Sequence, residues 1–204
     1  SGTKLPIVAI DTNFDAPEVV SYVGTGNEAA AKSGGLAAMK KAKSNGADKP
    51  QAVILTGAQG DETHEARLRG YRSAVEQAGG TVLEVQYCDA QPDRAAAAME
   101  AVMQKYPQGV DALLVTSDDM ALAAIKCIWD NNSTAYQKTV ICGFDGNQAA
   151  VEALDRGELT VDIAQQGYEM GYKAVEAALD ALEGKSVESV IDSGSEVITA
   201  DNID

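Results

Sequence analysis

Short apolar runs, typical of β-strands, alternate along this chain with amphipathic patterns typical of α-helices. A strand is predicted at residues 52–55 and a helix at 62–78, followed by a strand at 81–87 and a helix at 93–105. The alternation continues to a last helix over 169–182. Strands that alternate with helices of this length form parallel sheets with right-handed crossovers. The sequence therefore predicts an α/β fold, a parallel doubly wound sheet with helices on both faces.

Polar clusters end five of the strand-like runs, directly before the next helical pattern. They are Thr56-Gly57-Ala58-Gln59, Cys88-Asp89, Ser117-Asp118-Asp119, Asp145-Gly146-Asn147 and Gln165-Gln166. Parallel strands point their carboxyl ends at one edge of the sheet, where loops present polar groups to ligands. The pattern predicts a polar site for a small molecule at this edge.

The composition excludes several kinds of partner. With 31 acidic and 16 basic residues the chain has a formal net charge of −15, so we expect no nucleic-acid binding. No run approaches the ~20 apolar residues of a membrane helix, so we expect no direct insertion into a membrane. Cys88, Cys127, Cys142 and the single His64 lack the spacing of metal ligands. We expect no metal and no cofactor, and we expect His64 to be a solvated residue at a helix start.

Five stretches, in order along nearly the whole chain, carry a family resemblance. They are Val20-Ser21-Tyr22-Val23-Gly24-Thr25-Gly26-Asn27, Ala66-Arg67-Leu68-Arg69-Gly70-Tyr71, Ser117-Asp118-Asp119-Met120-Ala121-Leu122-Ala123, Cys142-Gly143-Phe144-Asp145-Gly146 and Ile163-Ala164-Gln165. They resemble the periplasmic sugar-binding proteins of ABC transporters, of the ribose- and galactose-binding type, which have the type 1 periplasmic-binding-protein fold. In that family two similar α/β lobes, joined by three crossings of the chain, close on a sugar.

The resemblance implies a division of the chain between the two lobes. Residues 25–164 would form most of the C-terminal lobe, and residues 1–24 and 165–194 would belong to the N-terminal lobe. Residues 195–204 would form a strand that returns to the C-terminal lobe. Most of the family's N-terminal lobe has no counterpart in this sequence. We therefore expect either a missing N-terminal-lobe fragment or a dimer to complete the protein.

Sugar recognition favours planar side chains that bond two adjacent hydroxyl groups at once, namely carboxylates, amides and guanidinium. The candidate ligand-binding residues are Asp11, Asn13, Arg67, Ser117, Asp145 and Gln165. The resemblance matches Asp11 to an aspartate near the hinge, Arg67 to the arginine of the helix after the second lobe strand, Asp145 to the aspartate of a Phe-Asp-Gly turn and Gln165 to the glutamine at the third crossing. Ser117 stands where many relatives have asparagine, and Thr12 where ribose binders have arginine.

Structural explanations compete for several of these residues. Asp145 precedes a glycine and could simply cap the next helix or form a turn. Arg67 could form a surface ion pair with Asp61 or Glu62. Asp118 and its neighbour Asp119 suit a helix start, where negative charge is favourable.

The resemblance implies a solute-binding component of an ABC import system, not an enzyme, that binds a monosaccharide-like ligand in an inter-lobe cleft and meets a membrane permease. Such a protein is periplasmic or extracellular, either free or held by a lipoprotein anchor. The alternative is the effector-binding domain of a lactose-repressor-type transcription regulator, which shares this fold. A third class, a magnesium-dependent phosphoryl-transfer enzyme using Asp118, Asp119 or Asp145, lacks an accompanying lysine-plus-acid pattern.

Overall fold

The computed structural model describes residues 5–14 and 16–203, and in these the chain alternates strands with helices. The strands are β1 (Ile7–Ile10), β2 (Val19–Gly24), β3 (Gln51–Thr56), β4 (Thr81–Tyr87), β5 (Ala112–Val115), β6 (Val140–Cys142), β7 (Asp162–Gln165), β8 (Val190–Asp192) and β9 (Ser195–Ile198). The α-helices are α1 (Asn27–Ser44), α2 (Glu62–Gln77), α3 (Pro92–Lys105), α4 (Asp118–Asp130), α5 (Gln148–Asp155) and α6 (Gly167–Leu182), and a 3-10 helix lies at Thr134–Tyr136.

The chain forms two compact units. Unit 1 is Ser1–Gly26 with Gln165–Glu196, and unit 2 is Asn27–Ala164 with Val197–Asp204. Strands β7 and β9 pair in a two-stranded sheet of their own.

A four-stranded parallel sheet in the order β4-β3-β5-β6 is the centre of unit 2. Every residue of β5 and β6 is buried, and so is every residue of β3 except the first. Strands that are covered on both faces read as continuous apolar runs, since neither face meets water. This is why these strands show little alternation of polar and apolar residues in the sequence.

Helices cover both faces of that sheet. Ile54 and Leu114 lie in a core cluster with residues of α1 and α2. Their chain neighbours Leu55 and Leu113 lie in a second cluster with residues of α3, α4 and α5. Successive strand residues point to opposite faces, so the two clusters occupy the two sides of the sheet. The structure confirms the predicted α/β class and the parallel, doubly wound arrangement.

Unit 1 holds a three-stranded parallel sheet in the order β1-β2-β8, which α6 contacts through β1 and β2. One side of α6 is an exposed apolar stripe. The stripe consists of Tyr168, Tyr172, Val175, Leu179 and Leu182, each more than half exposed. Within the described residues, no helix is long and apolar enough to cross a membrane.

Element boundaries differ from the sequence predictions at several points. Helix α4 begins at Asp118, directly after Ser117, because Ser117 has the extended backbone of an N-cap residue, with φ −158 and ψ 154. The last helix begins at Gly167, two residues before its predicted start.

Unit 1 is expected to exchange its amide hydrogens faster than the sheet of unit 2. Among its described residues unit 1 buries few apolar side chains, such as Val23 and Met170, whereas β3 and β5 are almost fully enclosed. Local opening therefore costs less in unit 1. Hydrogen-exchange mass spectrometry on the dilute chain would compare peptides from α6 with peptides from β3 and β5. Equal protection would contradict this expectation.

Candidate functional site

Arg67 is the centre of a polar cluster in unit 2. Its guanidinium donates from Nε to Asn27 Oδ1 at 2.8 Å, and from Nη1 to the carbonyl oxygen of Thr116 at 2.9 Å and to Asp145 Oδ1 at 3.0 Å. The side chain is 5% exposed, and its Cζ lies 3.7 Å from the centroid of the Phe144 ring. Four partners therefore fix one guanidinium group.

These partners meet at the carboxyl-end edge of the unit 2 sheet. Asn27 begins α1, Thr116 follows β5, and Phe144 and Asp145 follow β6. Among the described residues none accepts a hydrogen bond from Arg67 Nη2. Arginine has five N–H donors, so this nitrogen retains donors for a ligand.

Asp145 occupies a turn with unusual backbone geometry. Its φ is 134, in a region that residues with side chains rarely adopt, and its N–H donates to the carbonyl oxygen of Ile163 at 2.9 Å. The next residue, Gly146, has φ 75, and a Cβ there would lie 2.6 Å from Cα of Ala164. A strained residue of this kind costs about 1–3 kcal/mol and is typical of binding and catalytic sites.

The side chain of Asp145 faces Arg67 and remains 34% exposed. Helix α5 is capped instead by Asn147, whose Oδ1 accepts from the N–H of Ala150 at 2.9 Å. The explanation of Asp145 as a helix cap is therefore wrong.

The surface ion pair considered for Arg67 belongs to Arg69. Arg69 binds Glu28 at 2.9 Å and Glu62 at 2.7 Å, and its side chain is 47% exposed. Residues two apart on a helix point to different sides, so Arg67 is turned inward and Arg69 outward.

The prediction that His64 is a solvated residue is wrong. Its ring is half-buried, with Nδ1 2.9 Å from Thr116 Oγ1, and it packs on Gly57, where a Cβ would lie 2.2 Å from His64 Cδ2. Burial and the nearby charge of Arg67 lower the pKa of His64, so the ring is neutral at pH 7. His64 stands three residues before Arg67, and residues three apart share one face of a helix. This spacing in the sequence is what could have indicated that the two side chains lie close together.

Ser117 and Asp118 differ sharply in their surroundings. Ser117 is half-buried at the N-cap position of α4 and makes no capping hydrogen bond with its side chain. Asp118 is completely buried and accepts from the N–H groups of Phe144 at 2.9 Å and Asn147 at 2.8 Å. Asp119 is exposed. Asp118 therefore does more than place a charge at a helix start, because it binds the turn that contains Asp145.

The remaining candidates lie in unit 1. Asp11 is exposed, has φ 64, and its carbonyl oxygen accepts from the hydroxyl of Tyr22 at 2.8 Å. Asn13 is exposed, and its Oδ1 accepts from the N–H of Phe14 at 2.9 Å. Gln165 is half-buried, and its Oε1 accepts from Thr25 Oγ1 at 2.8 Å.

The structure therefore brings Arg67 and Asp145 into direct contact, and Ser117 follows Thr116, whose carbonyl oxygen accepts from Arg67, in the chain. In the parts of the chain that the structure describes, no group of three or more His, Cys, Asp or Glu side chains is arranged to hold a metal ion.

The chain is similar to several proteins that are named as sugar-binding proteins. The ribose import binding protein RbsB of Salmonella typhimurium is 28% identical over 186 residues, which are 91% of this chain and 60% of the relative. RbsB of Bacillus subtilis is 31% identical over 187 residues, 92% of this chain and 58% of the relative. This chain thus spans about three fifths of the length of these curated relatives.

Among solved structures, GanP, a glucose-galactose binding protein from Geobacillus stearothermophilus, superimposes with a TM-score of 0.83 at 30% identity, over 97% of this chain and 68% of that one. The profile described as periplasmic binding protein domain matches residues 2–186. With this match over most of its length, the chain belongs to the periplasmic binding protein domain family.

Proposed function

We propose that this chain binds a monosaccharide-like ligand in an inter-lobe cleft, as the solute-binding component of an ABC import system. The observation that carries the proposal is the Arg67 cluster at the carboxyl-end edge of the unit 2 sheet, in a member of the periplasmic binding protein domain family. The names of the relatives support the ligand class, since two are ribose import binding proteins and one is a glucose-galactose binding protein.

The charges of the cluster favour an uncharged, hydroxyl-rich ligand. The positive charge of Arg67 is balanced by Asp145 at 3.0 Å, and the lowered pKa of His64 leaves that ring neutral at pH 7. A charged ligand would have to compete with this ion pair. A neutral sugar instead accepts from Arg67 and donates a hydroxyl hydrogen to the exposed part of Asp145, and charge-assisted hydrogen bonds of this kind are among the stronger ones.

The lobe assignment is part of the same proposal. Residues 25–164 and 195–204 form the C-terminal lobe, with Arg67, Ser117 and Asp145 as its ligand-binding residues. Residues 1–24 and 165–194 belong to the N-terminal lobe and contribute Asp11, Asn13 and Gln165. The partners are a membrane permease and either a missing N-terminal-lobe fragment or a second copy of the chain. The protein acts in the periplasm or outside the cell, free or through a lipoprotein anchor.

Nuclear magnetic resonance titration of the 204-residue chain with pentoses and hexoses tests the ligand class. Binding of one or more sugars should shift the amide signals of Asn27, Thr116 and Asp145. The affinity of the chain alone should be millimolar, since a clamp owes much of its affinity to enclosing the ligand from both sides. Micromolar binding by the chain alone would contradict the lobe assignment. No change with any sugar at high millimolar concentration would overturn the ligand class.

Asp145→Ala should weaken sugar binding by about ten- to a hundredfold, because a hydrogen bond to a charged group contributes about 1.5–3 kcal/mol. The same titration measures the change in dissociation constant. Asp119→Ala is the matched control, since Asp119 is an exposed acid at the start of α4. It should change the constant by less than about threefold. If the control loses binding and Asp145→Ala does not, the assignment of the site is wrong.

A further inference from the structure

Two buried carboxyl groups, outside the set of candidate ligand-binding residues, lie side by side in unit 2. Asp118 begins α4 and Asp162 begins β7, and both are 0% exposed. They meet across Gly143, where a Cβ would lie 2.5 Å from Asp118 Oδ1 and 3.1 Å from Asp162 Oδ1. Two carboxylates in such a place cannot both be ionised without a large cost, since burial and mutual repulsion both disfavour the second charge.

The hydrogen bonds decide which of the two carries the charge. Asp118 accepts through both oxygens, Oδ1 from the N–H of Phe144 and Oδ2 from the N–H of Asn147. Asp162 accepts only through Oδ1, from the N–H of Ile163 at 2.7 Å. Its Oδ2 is buried and has no hydrogen-bond partner among the described residues. Donors around Asp118 stabilise its ionised form, whereas Asp162 has an oxygen available to hold a proton.

The surroundings support this distribution. Burial and the charge of Asp118 raise the pKa of Asp162 to about 9. The other ionisable groups that face the pair are Asp145, Tyr71 and Cys142. Burial raises the pKa of both Tyr71 and Cys142, so these two groups are neutral at pH 7.

We propose that Asp162 holds one proton for the pair and that the ionised Asp118 is a positioning residue for the Arg67 cluster. The two N–H groups that Asp118 binds belong to the residues on either side of the Asp145-Gly146 turn. Phe144, one of them, also lies under the guanidinium of Arg67. A residue with the φ of Asp145 keeps its conformation only where its surroundings fix it, and the Asp118 carboxylate supplies that restraint.

Carboxyl carbon NMR of the 204-residue chain tests the pair without any ligand. At pH 7 one carboxyl signal should remain in the protonated position, and it should be absent in Asp162→Asn. The amide shifts of Phe144 and Asn147 should persist in Asp162→Asn, because an asparagine there leaves Asp118 ionised. They should change strongly in Asp118→Asn and remain unchanged in the control Asp119→Asn, a neighbouring acid that is exposed.

The role toward the ligand rests on the proposed function and has its own measurement. Asp118→Asn should weaken sugar binding at least tenfold, although Asp118 is fully buried. If the wild-type chain binds no sugar, the proposed function fails. The carboxyl and amide signals would still show whether Asp162 holds the proton and whether Asp118 restrains the turn. A wild type without a protonated carboxyl at pH 7, or an Asp118→Asn variant with unchanged Phe144 and Asn147 amides, would overturn the inference. If Asp118→Asn does not fold, the wild-type and Asp162→Asn spectra decide it.

Discussion

Arg67→Ala is expected to lower the free energy of unfolding of unit 2 by about 3 kcal/mol. Removing one partner of a buried ion pair typically costs about 3–5 kcal/mol, and we expect the lower part of that range because Asp145 is one-third exposed. The variant also leaves the carbonyl oxygen of Thr116 and Asn27 Oδ1 without the donor they have in the wild type. Sugar binding should fall by about ten- to a hundredfold as well, since Arg67 is a proposed ligand contact.

Urea unfolding followed by tryptophan fluorescence measures the first effect, because Trp129 is the single tryptophan of the chain and lies in α4 of unit 2. Arg69→Ala is a matched control on the same helix. Arg69 is an exposed arginine with two surface ion pairs, and such pairs contribute little to stability. If Arg67→Ala lowers the free energy of unfolding by no more than the small amount expected for Arg69→Ala, the buried cluster does not stabilise unit 2.

Ionisation of Asp162 should make unit 2 less stable as pH rises from about 4 to about 9. Burial and the charge of Asp118 raise the pKa of Asp162 from 3.8 to about 9 in the folded chain. In this window the unfolded chain has released the proton and the folded chain still holds it. The folded state therefore binds more protons, so each pH unit within the window lowers the free energy of unfolding by about 1.4 kcal/mol through this group.

Asp162→Asn isolates that contribution, because asparagine has the shape of the protonated acid and does not titrate. The difference in unfolding free energy between this variant and the wild type should grow in favour of the variant from about pH 5 to about pH 8. Urea unfolding at several pH values measures it. Asp119→Asn, at an exposed position, should follow the wild-type pH profile. Parallel profiles for Asp162→Asn and the wild type would show that Asp162 is ionised in the folded chain.

The order and type of the elements could be predicted because they depend on local patterns. The apolar runs that became β3 and β5 and the helical patterns that became α2 and α3 needed only neighbouring residues to be recognised. The parallel sheet followed, since strands separated by helices pair in parallel. Exact boundaries, such as the start of α4, depended on the backbone of the N-cap residue and could not be read from periodicity.

The sequence by itself also determined which polar residues follow the strands, and hence that Ser117 and Asp145 lie at one edge of the sheet. Only the tertiary structure decided which charged groups are buried there. Asp118 rather than Asp119 faces inward, because the packing of α4 on the sheet sets the rotation of that helix. The pairing of Asp118 with Asp162 is likewise a tertiary result, since Gly143 is the point at which residues distant in sequence approach each other. Burial and the proximity of charges arise from packing, and neither is written in the local pattern of residues.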